Sequence, residues 1–301
     1  MLFSVEYSNY VFDFFSISGD PKSHAIAGNP HAESMALNKI YTLNKFHNNG
    51  KISASYAEYY SGIIERFQIS YIINKNDKSG LGVSIIQKKI EVHNTEYAYQ
   101  YNGDIISPDQ IDYDNIDYYD DQQIGLVILY STKNKIGDFG FKIKPIYTSH
   151  LNNKAFGASL DIGYNKIMNS KYIVGVSINN LISINKWDTG LSESNFPHLH
   201  LSNSYYHEKI TFYGELILSS DLNDINYFYN YKLGAEFSVY NNLKVLSGYS
   251  KNKSFSLGIG FNYKGINYSY SFNPNFQDIL LGQDHQFGIL LDLPKKKYEL
   301  N

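Results

Sequence analysis

Phe156-Gly157-Ala158-Ser159-Leu160-Asp161-Ile162-Gly163-Tyr164 carries an apolar or aromatic side chain at every second position. Glycine, serine and aspartate occupy the positions between them. Because successive side chains of a β-strand point to opposite faces of the sheet, this pattern predicts a strand with one apolar and one polar face.

The same alternation recurs along most of the chain after Lys51. Further runs begin at Phe67, Phe139, Tyr231 and Phe255, and turn-forming residues separate them. We count about fourteen strand candidates, and no segment keeps an apolar period of about 3.6 residues over several helical turns. The sequence therefore predicts an all-β fold.

Short turns between long, regular strands favour a single closed antiparallel transmembrane β-barrel, because such strands reach the roughly 9 to 11 residues that a tilted membrane strand needs. Closure also removes the edges that so many strands would otherwise expose. A soluble β-sandwich is the alternative, although its strands are usually shorter and less regular. The barrel interpretation predicts that the following side chains form an apolar girdle facing lipid: Phe156, Leu160, Ile162, Val174, Phe237, Leu257 and Phe261.

Composition excludes several other classes of protein. The chain has 29 tyrosines and 18 phenylalanines, which suit the aromatic rims of a membrane barrel. Its 26 basic and 29 acidic residues are scattered, which argues against nucleic acid as a partner. No run approaches the roughly 20 apolar residues of a spanning helix, and the absence of cysteine excludes thiolate chemistry.

Several short motifs carry a resemblance to a known family. The segment Phe12–Gly28 resembles the N-terminal signature of the PorV/PorQ group of outer-membrane proteins. Phe156–Tyr164 and Val174–Leu181 resemble two successive strands of that group, and Phe196-Pro197 fits its proline element. Gly282-Gln283-Asp284-His285 resembles the element that precedes its closing strand.

This resemblance implies a FadL-like barrel of fourteen strands in the cell outer membrane. The best-known members of the group serve type IX secretion by carrying or receiving cargo proteins. We therefore expect a non-enzymatic secretion component, without cofactor, that contacts outer-membrane lipid and a protein partner, either cargo or translocon. A FadL-like channel that holds a hydrophobic small molecule in its lumen, or a structural or adhesive barrel, remains the alternative.

The expected organisation has three parts: an N-terminal segment over 1–48, a barrel over 49–293 and a polar tail over 294–301. Phe12–Gly28 is too apolar to remain in solvent and too irregular for a long strand, so we expect it to act as a plug or periplasmic cap. Met1–Tyr10 lacks the basic region and apolar core of a secretory signal. A barrel would then imply that the signal was removed or that the start is truncated.

Histidines and serines alternate at His198, His200, Ser202 and Ser204 and therefore share one strand face. They could be the base and nucleophile of a hydrolase, or the histidines could bind a metal. No third orienting group and no further ligand can be named, so a polar row facing the lumen is the simpler interpretation. We predict neither a catalytic nor a metal site.

Three longer polar insertions, Asn102–Gln122, Asn185–Pro197 and Asn273–Asp284, belong on the external side of a membrane barrel. The first is rich in aspartate, which could bind calcium but more simply keeps a loop solvated. Aromatic side chains within polar surroundings often anchor protein interfaces. They can also sit at the membrane rim. The predicted partner-binding residues are Tyr113, Tyr118, Tyr119 and Trp187.

Overall fold

The structure is a computed structural model that describes residues 5–7, 12–16, 19–28, 50–76, 78–94, 112, 114, 116–220, 227–251, 255–274 and 282–293. Its elements are β1 (Val5–Tyr7), a 3-10 turn (Asp13–Phe15), α1 (Pro21–Ala25), β2 (Lys51–Tyr59), β3 (Ile64–Asn76), β4 (Ser79–Asn94), β5 (Asp117–Lys133), β6 (Asp138–His150), β7 (Asn153–Ile167), β8 (Tyr172–Trp187), β9 (Ser192–Ser194), β10 (His198–His207), β11 (Ile210–Ser220), β12 (Tyr227–Tyr240), β13 (Leu243–Ser250), β14 (Phe255–Tyr263), β15 (Ile266–Asn273) and β16 (Asp284–Asp292).

The strands close into a barrel. Each long strand pairs antiparallel with the next, β8 pairs with β10, and β16 returns to β2 with Leu291 opposite Ile52. Across the described residues, fourteen strands complete the ring. The short β9 is not one of these fourteen strands. It pairs antiparallel with β8 and parallel with β1. The predicted all-β closed barrel is confirmed.

The two faces of the wall are inverted relative to a soluble protein. Phe156 is 67% exposed and Phe237 is 43% exposed on the outer face, whereas Gln68, Ser84 and Asn165 are buried inside. All seven predicted girdle residues lie on the outer face, because Leu160 pairs with the exposed Ile143 and Val174 alternates with buried neighbours. This apolar exterior is a lipid-facing surface, so the sandwich alternative is wrong. No helix in the described part of the chain is long and apolar enough to span a membrane.

The connections divide the barrel into a short-turn rim and a long-loop rim. The turns 134–137, 168–171, 208–209, 241–242 and 264–265 all lie at one end. The connections 95–116, 188–197 and 274–283 all leave the other end. Short turns face the periplasm and long loops face outwards in outer-membrane barrels, so the long-loop rim is external.

Two of the predicted insertions have other bounds than the sequence suggested. β5 already begins at Asp117, so 117–122 belongs to a strand, and β8 continues through Trp187 before the β9 segment. Strands that project beyond the apolar girdle meet water on both faces, so their polar ends look like loop in the sequence. The third insertion lies between Asn273 and Asp284 as predicted.

The N-terminal residues lie inside the barrel. Phe12, Phe14 and Phe15 form an aromatic cluster, with the rings of Phe14 and Phe15 4.9 Å apart in an edge-to-face arrangement. The cluster packs against inward-facing side chains of the wall, which are Ile72, Ile86, Val127, Leu129 and Ile146. Burial of a phenylalanine side chain contributes about 1.5–3 kcal/mol, so this contact holds the segment in the lumen.

Helix α1 fixes the rest of the segment. Asp20 caps the helix by accepting hydrogen bonds from the backbone N–H groups of Lys22 and Ser23, and Pro21 occupies the first helical turn. Ser256 donates a hydrogen bond of 3.0 Å to the carbonyl of Ala25. Next to the helix, Ile26 is fully buried against Tyr213 and Leu246. Together these contacts form the predicted plug-like segment.

Inward-facing glycines make room for the plug. A Cβ atom at Gly234, Gly248, Gly258 or Gly288 would collide with atoms of the Pro21–Ala27 segment. The glycines that punctuate the polar face of the strands therefore let the backbone of the wall approach the plug closely. The division of the chain into 1–48, 49–293 and 294–301 stays a prediction, since 29–49 and 294–301 are outside the described residues.

Two glycines of β14 provide a matched test of the plug. A Cβ at Gly258 would overlap the Cβ of Ala25, whereas one at Gly260 would lie 3.3 Å from Cε of the flexible Lys22 side chain and in ordinary contact with Lys244. We expect Gly258→Ala to destabilise the seated plug by about 1–3 kcal/mol through overpacking. Protease cleavage within 12–28 should become faster, and the thermal midpoint should fall.

Gly260→Ala should change the stability by less than about 0.5 kcal/mol. Equal protease resistance of the two variants would contradict the placement of α1 against β14.

Candidate functional site: a charged cavity beneath the external rim

A cavity of about 600 Å³ lies inside the barrel between the plug and the external rim. Phe15, Ser16 and Gly28 of the N-terminal segment contribute to its lining. The wall side is formed by Lys142, Lys144, Ser177, Asn179, Asn180, His198, His200, Glu215, Ile217, Ser219, Tyr229, Asn230, Lys232 and Lys251. Tyr229 and Lys251 stand near the external ends of β12 and β13, so the cavity extends towards the outside.

An irregularity in β8 shapes the wall of the cavity. Leu160 pairs with Ile182 whereas Ile162 pairs with Ile178, so β8 bulges around Asn180, whose φ is +54°. The pairing of β8 with β10 ends at Asn179 opposite His198. Beyond that point β8 pairs with β7 and β9. The bulge turns Asn180 into the lumen, where it is buried.

The first charged cluster of the cavity centres on Asp161. Its carboxylate is fully buried and lies 3.0 Å from Nζ of Lys142 and 2.8 Å from Nζ of Lys144. The backbone N–H of Asn180 also donates to Asp161, at 2.8 Å, and Lys144 donates to Oδ1 of Asn180 at 2.9 Å. The bulge and the ion pairs therefore stabilise each other.

The second cluster centres on Glu215. One carboxylate oxygen lies 2.8 Å from Nδ1 of His200, and the other lies 3.2 Å from Nζ of Lys232. The remaining ring nitrogen of His200 lies 3.1 Å from Nδ2 of Asn179. This cluster joins β8, β10, β11 and β12 around the lumen.

A further cation stands nearer the external rim. Nζ of Lys251 lies 3.8 Å from the centre of the Tyr229 ring and donates to the Tyr229 carbonyl. Four lysines thus line the cavity, whereas the carboxylates in the lining or in direct contact with it are Glu215 and Asp161. Among the described groups, the cavity has an excess of positive charge.

An apolar groove of about 470 Å³ lies on the opposite, lipid-facing side of the same wall. Its lining includes Phe139, Phe141, Tyr164 and Val176. Gly140, Gly163 and Ser177 stand side by side in register at its base, and Ser177 lines both the groove and the inner cavity. Small residues therefore separate the charged lumen from an apolar surface at this position.

The histidine–serine row predicted from the sequence lies on β10, and its histidines line the cavity. Glu215 is the orienting carboxylate that the sequence could not identify. Both ring nitrogens of His200 are occupied, by Glu215 and Asn179, which disfavours a role as the base of a hydrolase. The described residues contain no group of three or more His, Asp or Glu placed to hold a metal ion.

The predicted partner-binding residues occupy different places. Tyr113 lies outside the described residues, whereas Tyr118 and Tyr119 belong to β5, opposite His93 and Val92, and not to a loop. Trp187 ends β8 at the external rim, where its indole N–H donates to Glu193 at 2.6 Å. The structure does not bring Trp187 into the cavity lining.

The aspartate-rich insertion is only partly described. Asp112 accepts a hydrogen bond from the backbone of Asp114, and Asp121 on β5 lies 3.1 Å from His150. Asp104 and Asp109 lie outside the described residues. The described aspartates thus make local or cross-strand contacts.

No protein-family model and no curated protein sequence matches the chain. Solved structures do match. The toluene transporter TodX of Pseudomonas putida is 10% identical, with a TM-score of 0.61 over 95% of this chain and 97% of that one. A FadL homologue of Pseudomonas aeruginosa is 10% identical, with a TM-score of 0.59 over 92% and 99%. The toluene transporter TbuX of Ralstonia pickettii is 8% identical, with a TM-score of 0.57 over 93% and 98%.

These similarities show that the chain has a FadL-like barrel fold. That agrees with the FadL-like part of the resemblance. The PorV/PorQ assignment itself stays a prediction.

The Asp161 cluster gives a test of stability. We expect Asp161→Asn to lower the free energy of unfolding by about 3 kcal/mol, because it removes the buried carboxylate that Lys142 and Lys144 share. Asp292→Asn is the matched control. Its carboxylate pairs with Lys51 at 3.1 Å near the periplasmic end, where both side chains meet solvent, so the expected loss is about 0–1 kcal/mol. Urea unfolding of the two variants in detergent compares these values, and equal losses would refute the role given to Asp161.

Proposed function

We propose that this chain is a channel for hydrophobic small molecules in the outer membrane, rather than an enzyme or a secretion component. The observation that carries the proposal is the position of Ser177, which lines both the plug-bounded cavity and the apolar groove on the lipid face. A solute that enters from the external rim reaches, at this position, a wall of small residues with an apolar surface behind it.

The fold supports the same proposal. The structural neighbours include proteins described as a toluene transporter and a monoaromatic hydrocarbon channel. Fold alone does not fix function, so the proposal rests on the site. The plug closes part of the lumen, and the remaining space is large enough for a small solute, since ligand pockets typically measure about 300–1,000 Å³.

The proposal predicts that blocking the wall at Ser177 stops the passage of an apolar probe. The assay uses Gram-negative cells that display the chain in their outer membrane, with the fluorescent probe 1-N-phenylnaphthylamine added outside. We expect faster probe uptake than in cells without the chain. Ser177→Phe should return uptake to that background, because Ser177 lines the cavity and the aromatic ring would fill the lumen at this position.

Leu233→Phe is the control, since Leu233 is 55% exposed on the lipid face of β12 and lines neither the cavity nor the groove. It should leave uptake unchanged. Uptake in wild-type cells no faster than background would rule out the channel. Full uptake by Ser177→Phe would rule out the route through the wall.

A second candidate function is the binding of a secreted protein or a translocon at the external rim. One observation favours it: the three longest connections, 95–116, 188–197 and 274–283, all leave the same end of the barrel. Tyr113, Tyr118, Tyr119 and Trp187 lie in or beside two of these connections. They are the proposed anchors because buried aromatic side chains supply much of an interface's energy.

Shortening the 95–116 connection to a tight turn tests this candidate. The barrel should still fold, because the pairing of β4 with β5 extends to the opposite rim, where Ser79 lies opposite Thr132. If the connection binds a partner, that partner should no longer co-purify from detergent extracts, whereas it should do so with the full chain. Folding is checked by the difference in gel mobility between heated and unheated samples, and unchanged co-purification would remove this connection from the mechanism.

A further inference from the structure

The charged lining of the cavity is not explained by passage of an apolar solute. Burying a charged side chain has a large cost in desolvation, and a route for hydrocarbons gains nothing from lysines. The excess of lysine over carboxylate in the lining therefore calls for a separate account.

We propose that the cavity holds a binding site for a small soluble organic anion, of the class that carries carboxylate or phosphate groups. The site comprises Lys142, Lys144 and Lys232, with Asn179 and Asn230 beside them. This inference goes beyond the proposed function and does not depend on it.

The lysines retain the capacity to bind a ligand. An ammonium group has three donors. Lys142 forms an ion pair with Asp161, and Lys232 forms one with Glu215. Among the described residues, neither lysine has a second ion-pair partner. Because both side chains also line the cavity, their remaining N–H groups can point at a solute.

The carboxylates position these lysines rather than neutralise them. Asp161 is shared by Lys142 and Lys144, so one carboxylate faces two ammonium groups. Glu215 likewise contacts both Lys232 and His200. Lys251 adds another cation near the external end. A cavity enclosed by a low-dielectric wall focuses such a field and attracts anions.

Polar side chains complete the lining. Oδ1 of Asn179 and Oδ1 of Asn230 are buried and have no hydrogen-bond partner in the described part of the chain. Neither side chain packs in an apolar core, because both line the cavity. The solute is a free molecule rather than a lipid headgroup, because these residues face the lumen and not the membrane.

The test measures binding of radiolabelled succinate to the purified full chain in a neutral detergent by equilibrium dialysis. Succinamide has nearly the same shape without the negative charges and serves as the comparison probe. We expect saturable binding of succinate at low ionic strength, weaker binding at high salt, and at least tenfold weaker binding of succinamide.

Variants locate the site. Lys142→Gln and Lys232→Gln should each weaken succinate binding by about tenfold, which is the usual effect of losing one hydrogen bond to a charged group. Lys244→Gln is the matched control. Lys244 also forms an ion pair with a glutamate on the inner wall, at 2.6 Å from Glu236, but it does not line the cavity. It should bind succinate as the wild type does.

Two further variants separate loss of charge from loss of fold. Lys142→Arg keeps the positive charge and should retain binding. Glu215→Gln keeps an acceptor oxygen beside Lys232 but removes a negative charge from the cavity, so it should strengthen binding, an effect that misfolding cannot produce. The proposal is overturned if succinate shows no saturable binding, if succinamide binds equally well, or if Lys142→Gln and Lys232→Gln match Lys244→Gln. Failure of the apolar probe to cross the membrane would count only against the channel.

Discussion

The barrel depends on the pairing of every backbone N–H and C=O group within the ring of strands. In a lipid environment an unpaired backbone group costs several kcal/mol, so a sheet that spans a membrane has to close on itself. The contacts of β16 with β2 and of β7 with β8 provide that closure. Closure dictates the rest, because each strand then has one face towards lipid and one face towards a lumen. The lumen has to be filled by side chains, by another segment of chain or by water.

The plug occupies one part of the lumen, and the polar cavity takes up another part. On the β12–β16 side, inward glycines leave the space that Pro21–Ala27 occupies. On the β6 and β8–β12 side, charged residues line a cavity next to the plug, and Nζ of Lys144 lies 5.5 Å from the centre of the Phe15 ring. The bulge at Asn180 lies on the cavity side, where its backbone N–H donates to Asp161 and so fixes the lysine cluster. A charge inside the lumen is tolerated there because carboxylates pair with it and the cavity is polar.

Much of this fold follows from the sequence, since alternation identifies strands and their faces without any tertiary information. Strand ends are less predictable, as 117–122 shows, because the apolar face stops where the strand leaves the membrane. Part of the site could also be predicted from the sequence. The tight turns at 151–152 and 208–209 set the register of their hairpins, which places Lys142 opposite Asp161 and Ser202 opposite Glu215, next to His200. The position of Lys232 could not be predicted, because the length of the connection 221–226 does not fix the register of β11 with β12. The bulge at Asn180 could not be predicted either, because no local sequence pattern indicates it.

The expectation of a secretion component came from short motifs that describe strands of a barrel, and those motifs carry fold rather than function. What distinguishes one barrel from another is the content of its lumen and the thickness of its wall. Here a single layer of small residues at Ser177 has lysines and histidines on one side and aromatic rings on the other. A neutral apolar solute gains little from the inner side and much from the outer side, whereas an anion has the reverse preference. The two proposals together imply that the same wall sorts solutes by charge, because an anion held at the lysines would have no favourable path into the membrane.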